Sequence, residues 1–446
     1  MSRTIISPIL SKCADTPLRG QLYNTNQNSR QISFMSVIEL AAVCSQPLAS
    51  APVNSSFRAE RPSLLRRTWA VLASTTWLLW CLGSLVLLLA FVTAIPLLQL
   101  IVLGYLLLVA GRLAGGATIR RSLPGLAAAG QIGIVLASLG IASLPIRLLV
   151  HWESVAAIIE PASTTANTLR TVSIFVSLAA TVYLWWAWAR GGNLRHFLWP
   201  QPLRFFREAW RPSLWSDVAN RLWCFLVGLR LPMLFWLGVR GTVGTLIWLI
   251  PAMLIMNVTR EGKNAGAGLV GVISLLALGY VLLRLPMLQA HFAAENDFRA
   301  MFHWRRVRQD LRYAPWSYVG ALFVTLVMLP IPLYFLKIEA TSQAIAWLPC
   351  LVFVAFMLPA RIASGLALRR CRRLRQMHEQ GTAVTPTPWR GRWQTFSRLA
   401  VRFVIAPAIV MFYLLVLWAS QFTSWDGIDT WVRQHALLVP VPFVGL

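Results

Sequence analysis

The sequence predicts an all-α protein, a polytopic transmembrane helix bundle of about nine spans with interfacial amphipathic helices. Three observations predict it. Of its 446 residues 57% are apolar and 13% charged, a balance unlike that of soluble domains. The apolar residues gather into uncharged runs close to the roughly 20 residues that a helix needs to cross about 30 Å of hydrocarbon. Nearly all of the 41 Lys and Arg fall between those runs. Along such runs a helix satisfies its own backbone polar groups without water.

Taken in order, 1–66 form a polar tail rich in Ser, Asn, Gln and Thr, predicted disordered because it can bury little apolar surface. Within it FMSVIELAAVC followed by Ala49-Ser50-Ala51 imitates a signal peptide, but Glu39 interrupts the apolar stretch and Pro52 follows the would-be cleavage site. The transmembrane domain is read at 67–424 and a short external segment at 425–446. From Thr68 to Gly111 no residue is charged, and one straight helix of that length would measure about 66 Å. Pro96 marks the break that divides it into spans at 69–93 and 96–111. Further spans are expected at 122–146, 171–189, 241–259, 264–283, 313–336, 340–360 and 403–425.

With the N-terminus inside, the five cytoplasmic segments 58–67, 112–121, 190–221, 284–312 and 361–402 carry 29 Lys and Arg, whereas the four outer segments carry 6. That asymmetry is the one positive residues impose on topology, and it places the protein in the inner, cytoplasmic membrane. It also turns the net charge of +26 away from nucleic acid, which needs clustered cations on one face. The partners expected are the bilayer and anionic lipid headgroups. Trp69, Trp185, Trp186, Trp188, Trp316 and Trp425 lie near span ends, where an amphipathic ring prefers the interface.

Between the spans, HFLWPQPLRFFREAWRPSLW at 196–215 reads as an interfacial amphipathic helix. The stretch 220–240, with Arg230 and Pro232, reads as re-entrant or interfacial. Gly130, Gly133, Ala137 and Gly140 share one helical face, where a neighbour can approach closely. HFAAENDFRAMFHWRRVRQDLR at 291–312 reads as one amphipathic helix on the cytoplasmic leaflet, with Arg299, Arg305, Arg306 and Arg308 toward the headgroups.

No catalytic constellation, cofactor motif or metal set stands out. His291 and Glu295 are one turn apart, but nothing completes a metal or acid–base site around them, and no HExxH, Walker A or GxSxG is present. The six Cys form no CxxC pair, and Cys371 in RRCRR is read as a cytosolic free thiol. All 15 acidic residues fall outside the predicted spans, which disfavours cation-coupled transport. Arg147, Arg230, Arg240, Arg284, Arg361 and Arg402 lie in or beside apolar runs. Snorkelling explains four of them, while Arg230 and Arg240 are candidates for holding a phosphate or carboxylate.

The runs IPLLQLIVLGYLLLVAGRLA at 95–114 and LPMLQAHFAAENDFRAMFHWRRVRQDLRYAPWSYVGAL at 285–322, with FWLGVRGTVGTLIWLIPAMLI at 235–255 and KIEATSQAIAWLPCLVFVAFMLPARI at 337–362, resemble the DUF4013 family of bacterial and archaeal membrane proteins, in its planctomycete type. The resemblance spans most of 67–370. It implies one membrane domain and supplies no catalytic or ligand-binding residues to carry over. The readings that remain are a non-catalytic envelope or scaffold component and, as the alternative, a transporter or lipid-handling protein for an anionic substrate.

Overall fold

The computed structural model describes residues 64–421 apart from 96, 161–162, 192–195, 198, 200, 202–203, 206, 208–210, 261–264, 329–346 and 383–387. The expectations for 425–446 and for all but the last three residues of the tail lie outside that set. The chain forms two units, Met1–Glu60 with Asn220–Gly228, and Arg61–Ala219 with Leu229–Leu446. Of the first, the described residues include only a helical stretch; the second holds everything that follows.

Among the described residues there are helices and no strands: α1 Leu64–Thr93, α2 Gln99–Ala114, α3 Ile119–Ser122, α4 Leu126–Ile159, α5 Thr164–Ala189, α6 Pro212–Gly228, α7 Leu231–Arg260, α8 Ala265–Leu282, α9 Leu285–Glu295, a 3-10 turn Phe298–Phe302, α10 Trp304–Leu311, α11 Pro315–Phe323, α12 Trp347–Glu379, α13 Pro388–Ala400 and α14 Ala406–Gln421. Seven stretches are long and apolar enough to span a bilayer: Val71–Thr93, Leu126–Ile159, Thr164–Ala189, Leu231–Pro251, Val272–Glu295, Cys350–Glu379 and Gly391–Leu415. The protein is a multi-pass membrane protein. Gln99–Ala114 and Pro315–Met328 are shorter apolar helices, and the spans expected at 313–336 and 340–360 extend into residues outside the described set.

The bundle is built around α2. Eleven of its sixteen residues are buried, and α1, α7, α9 and α12 pack on it. Between helices in lipid the driving force is van der Waals fit, which favours small residues at contacts. Accordingly, a Cβ on Gly104 would strike the Leu234 carbonyl of α7, one on Gly238 the Leu100 carbonyl of α2, one on Gly111 the Ala293 carbonyl of α9, and one on Gly365 of α12 would press on the Ala110 carbonyl. Leu106, Leu107, Val109, Ala110 and Leu113 fill the spaces between these contacts. The outward faces of α4 and α5 leave Ile141, Leu144, Leu148, Ile174, Phe175 and Leu178 exposed, as helices that meet acyl chains do.

Three local expectations are corrected. The segment between the spans expected at 122–146 and 171–189 is largely helix, because α4 runs through Pro145 to Ile159 before Ser163 caps α5 by accepting from the Ala166 N–H. Of the stretch 220–240, expected to be re-entrant or interfacial, the residues from Leu231 onward belong to the long α7, and Pro232 sits in its first turn, where the missing N–H has no intrahelical partner to lose. The single amphipathic helix at 291–312 is broken at Asn296, which adopts a left-handed φ of 53°. An Asn tolerates that conformation with little strain. The first half of this segment therefore reaches the core at His291, Phe292 and Met301, which are fully buried, as are Met287 and Leu288 just before it.

Candidate functional site

The polar groups of the interior come from α7, α9 and α12. α9 is too short to cross a membrane alone; its burial against α2, α7 and α12 places Gln289 and His291 inside the bundle. Arg361 of α12 is 5% exposed and donates from Nη1 to Gln289 Oε1. Gln289 Nε2 donates to Thr245 Oγ1 at 2.7 Å, and that hydroxyl donates to the Gly241 carbonyl at 2.8 Å. Three side chains thus form a line of donors running from α12 through α9 to α7. Buried polar groups of this kind hold their orientation because every displaced hydrogen bond would go unmade.

A second cluster lies further along α12. Arg372 donates to His291 Nδ1 and to Glu295 Oε1 at 3.3 Å, and its Nε lies 3.8 Å from Asp310 Oδ2. Arg375 bonds Asp310 Oδ1 at 2.8 Å and Glu379 Oε1 at 2.7 Å. Arg306 approaches Glu295 at 4.0 Å. Since Nδ1 of His291 accepts, its Nε2 carries the hydrogen. The His291–Glu295 pair is therefore engaged by arginine, and no group of three or more His, Cys, Asp or Glu side chains able to hold a metal occurs among the described residues.

Arg230 and Arg240 do not meet. Arg230 has a left-handed φ of 49° just before α7. Arg240 donates to the carbonyl and side-chain oxygens of Asn296 and lies over the Trp236 and Phe292 rings, 5.9 Å from each centroid. Gly130 and Gly133 pack on Cys81 and Ser84 of α1, while Gly140 faces open space. Arg299, Arg305, Arg306 and Arg308 are exposed. Cys371 is a free thiol and fully buried, with its Sγ 3.8 Å from the Ala314 carbonyl.

Arg361, the most buried arginine among the described residues, falls among the snorkelling residues by its sequence position at the edge of an apolar run. One signal could have singled it out: the run resumes after it as IASGLAL, so it sits inside the helix rather than at its end.

Residues 231–338, which supply Arg240, Thr245, Gln289, His291, Glu295 and Asp310, match the family model described as Protein of unknown function (DUF4013). The match covers 108 of the 446 residues. Two of the four resembling runs, 235–255 and 285–322, lie within that DUF4013 match. Arg361 and Arg372 lie outside it, so each polar cluster joins the DUF4013 segment to the helix that follows. No curated protein and no solved structure matches the chain.

Proposed function

We propose that this DUF4013 protein is a non-catalytic scaffold of the inner, cytoplasmic membrane, with its N-terminus in the cytoplasm and an arginine-rich end that holds anionic lipid headgroups. The observation that carries this reading is the pairing of exposed cations with exposed aromatics. Arg299, Arg305, Arg306 and Arg308 stand exposed on the segment between α9 and α11. On α13, Trp389, Trp393 and Phe396 are exposed at helical spacing beside exposed Arg392 and Arg398. Aromatic rings seated at the headgroup level with guanidinium groups near phosphates are what a membrane interface selects. That Arg240 and Gly130 serve packing also favours a scaffold over a cavity built on those residues.

The test is lipid identification by mass spectrometry after gentle extraction of the full chain and of the Arg305→Gln/Arg306→Gln/Arg308→Gln variant. Loss of anionic phospholipid from the variant is expected. The same lipids retained by both proteins would remove the headgroup role. A second reading, handling of an anionic substrate, is favoured by the buried Arg361.

A further inference from the structure

Arg361 is a cation inside a spanning helix, and among the described residues it pairs with no carboxylate. The only hydrogen-bond partner of its guanidinium there is the neutral Gln289 Oε1, taken by Nη1. Its Nε–H is buried without an acceptor. A guanidinium offers five donors and no acceptor. The edge formed by Nε and Nη2 is one of the two through which it grips two oxygens at once. Gln289, itself held by Thr245, fixes the opposite corner and leaves that edge without a partner.

Elsewhere on α7 and α9 the Thr242 hydroxyl and Nε2 of His291 are also buried and unpartnered among the described residues, on residues 6% and 0% exposed. The carboxylates on the neighbouring segments, Glu295 and Asp310, are occupied by Arg306, Arg372 and Arg375. An interior with surplus donors and an uncompensated cation is costly unless an anion or polar group completes it.

We propose that Arg361, positioned by Gln289, forms an interior site for a small oxyanion, a carboxylate or phosphate, bound side-on through Nε and Nη2. The site is independent of the arginine-rich end. Its occupant neutralises the helix interior and ties α12 to the DUF4013 segment.

The experiment uses the full chain in nanodiscs of neutral phosphatidylcholine, with melting followed as inorganic phosphate or acetate replaces chloride at constant ionic strength. Wild type should gain a saturable rise in melting temperature with one of these oxyanions. Gln289→Glu supplies a built-in carboxylate, so it should melt higher without added anion and lose the response. Arg361→Lys keeps the charge but not the two-donor edge and should weaken the response by about tenfold or more. The Arg305→Gln/Arg306→Gln/Arg308→Gln variant should respond as wild type does. A parallel series with phosphatidylglycerol in the disc separates the sources: stabilisation by that lipid that Gln289→Glu removes would identify a headgroup phosphate as the occupant. No oxyanion response in wild type from either source would overturn the site, as would an unchanged response in Gln289→Glu or its loss in the triple variant.

Discussion

Arg240 of α7 donates to both oxygens of Asn296, the carbonyl at 3.2 Å and the side chain at 2.8 Å, and so clamps the left-handed residue at which α9 ends. The clamp holds the turn that leads into the buried Ala300 and Met301. Without it the polypeptide between α9 and α10 has one fewer reason to turn inward.

Arg240→Ala is therefore expected to destabilise the bundle by about 1.5–3 kcal/mol, the range for hydrogen bonds to a charged group. Thermal melting in detergent measures it. Hydrogen exchange should rise at 296–302 and not at α4. Unchanged protection there would show that Asn296 keeps its turn unaided.

The contacts around α2 make a sharper contrast. Gly104→Ala and Gly238→Ala each push a methyl into a backbone carbonyl across the helix crossing, an overpacking expected to cost about 1–3 kcal/mol. Gly140→Ala adds the same methyl to open space and should stay within about 0.5 kcal/mol of wild type. Equal melting temperatures for all three variants would contradict the close approach.

Asp310 is 3% exposed and serves two arginines, Arg372 and Arg375. Asp310→Ala leaves both without it, and since they are 22% and 29% exposed water recovers part of the loss. A destabilisation of about 1–3 kcal/mol is expected. In a double-mutant cycle with Arg375→Ala the two effects should be clearly non-additive; simple additivity would mean the pair is decorative.

Much of this architecture was legible in the residues themselves. Uncharged runs bounded by arginine report helices that cross lipid, because hydrocarbon tolerates neither charge nor open backbone, and α1, α2, α5 and α8 fall where the runs place them. What composition could not convey is which helices surround which. The amphipathic pattern at 291–312 is compatible with a surface helix, and only packing against α2, α7 and α12 makes His291 and Phe292 interior. Arg361 was misjudged for the same reason: its depth depends on the neighbours covering it. Arg230 and Arg240 were singled out by position along the chain, but Arg240 is committed to a partner 56 residues away, a distance no local pattern reveals.

His196 gives a dependence on pH. Burial lowers its proton affinity, and the Arg190 and Arg204 guanidinium groups add to the effect. The folded state therefore binds a proton less readily than the unfolded chain. Stability should fall as pH drops through the ordinary histidine range and level off once the folded form protonates. Between about pH 7.5 and about pH 5.5, His196→Gln should lose less melting temperature than wild type; an equal loss would place the sensitivity elsewhere.

Binding of the arginine-rich end to anionic vesicles should weaken with salt, because exposed charges are screened over about 8 Å at physiological ionic strength. Trp389→Ala/Trp393→Ala should lower vesicle binding at every salt concentration, since ring insertion does not depend on screening. A salt-insensitive interaction would mean the arginines Arg305, Arg306 and Arg308 do not contribute.

The shortness of α2 bears on how the molecule is made. At sixteen residues it extends about 24 Å, less than the hydrocarbon it must occupy, and the partners that approach it closely, α7 and α9 at its glycines and α12 at Ala110, are each translated well over a hundred residues later. During synthesis the centre of the finished bundle thus waits, packed against α1 and the short α3, until the ribosome has delivered the second half of the chain. Its position is secured last although its residues emerge among the first, so translation that stops before α12 would leave α2 as the least anchored helix of the set.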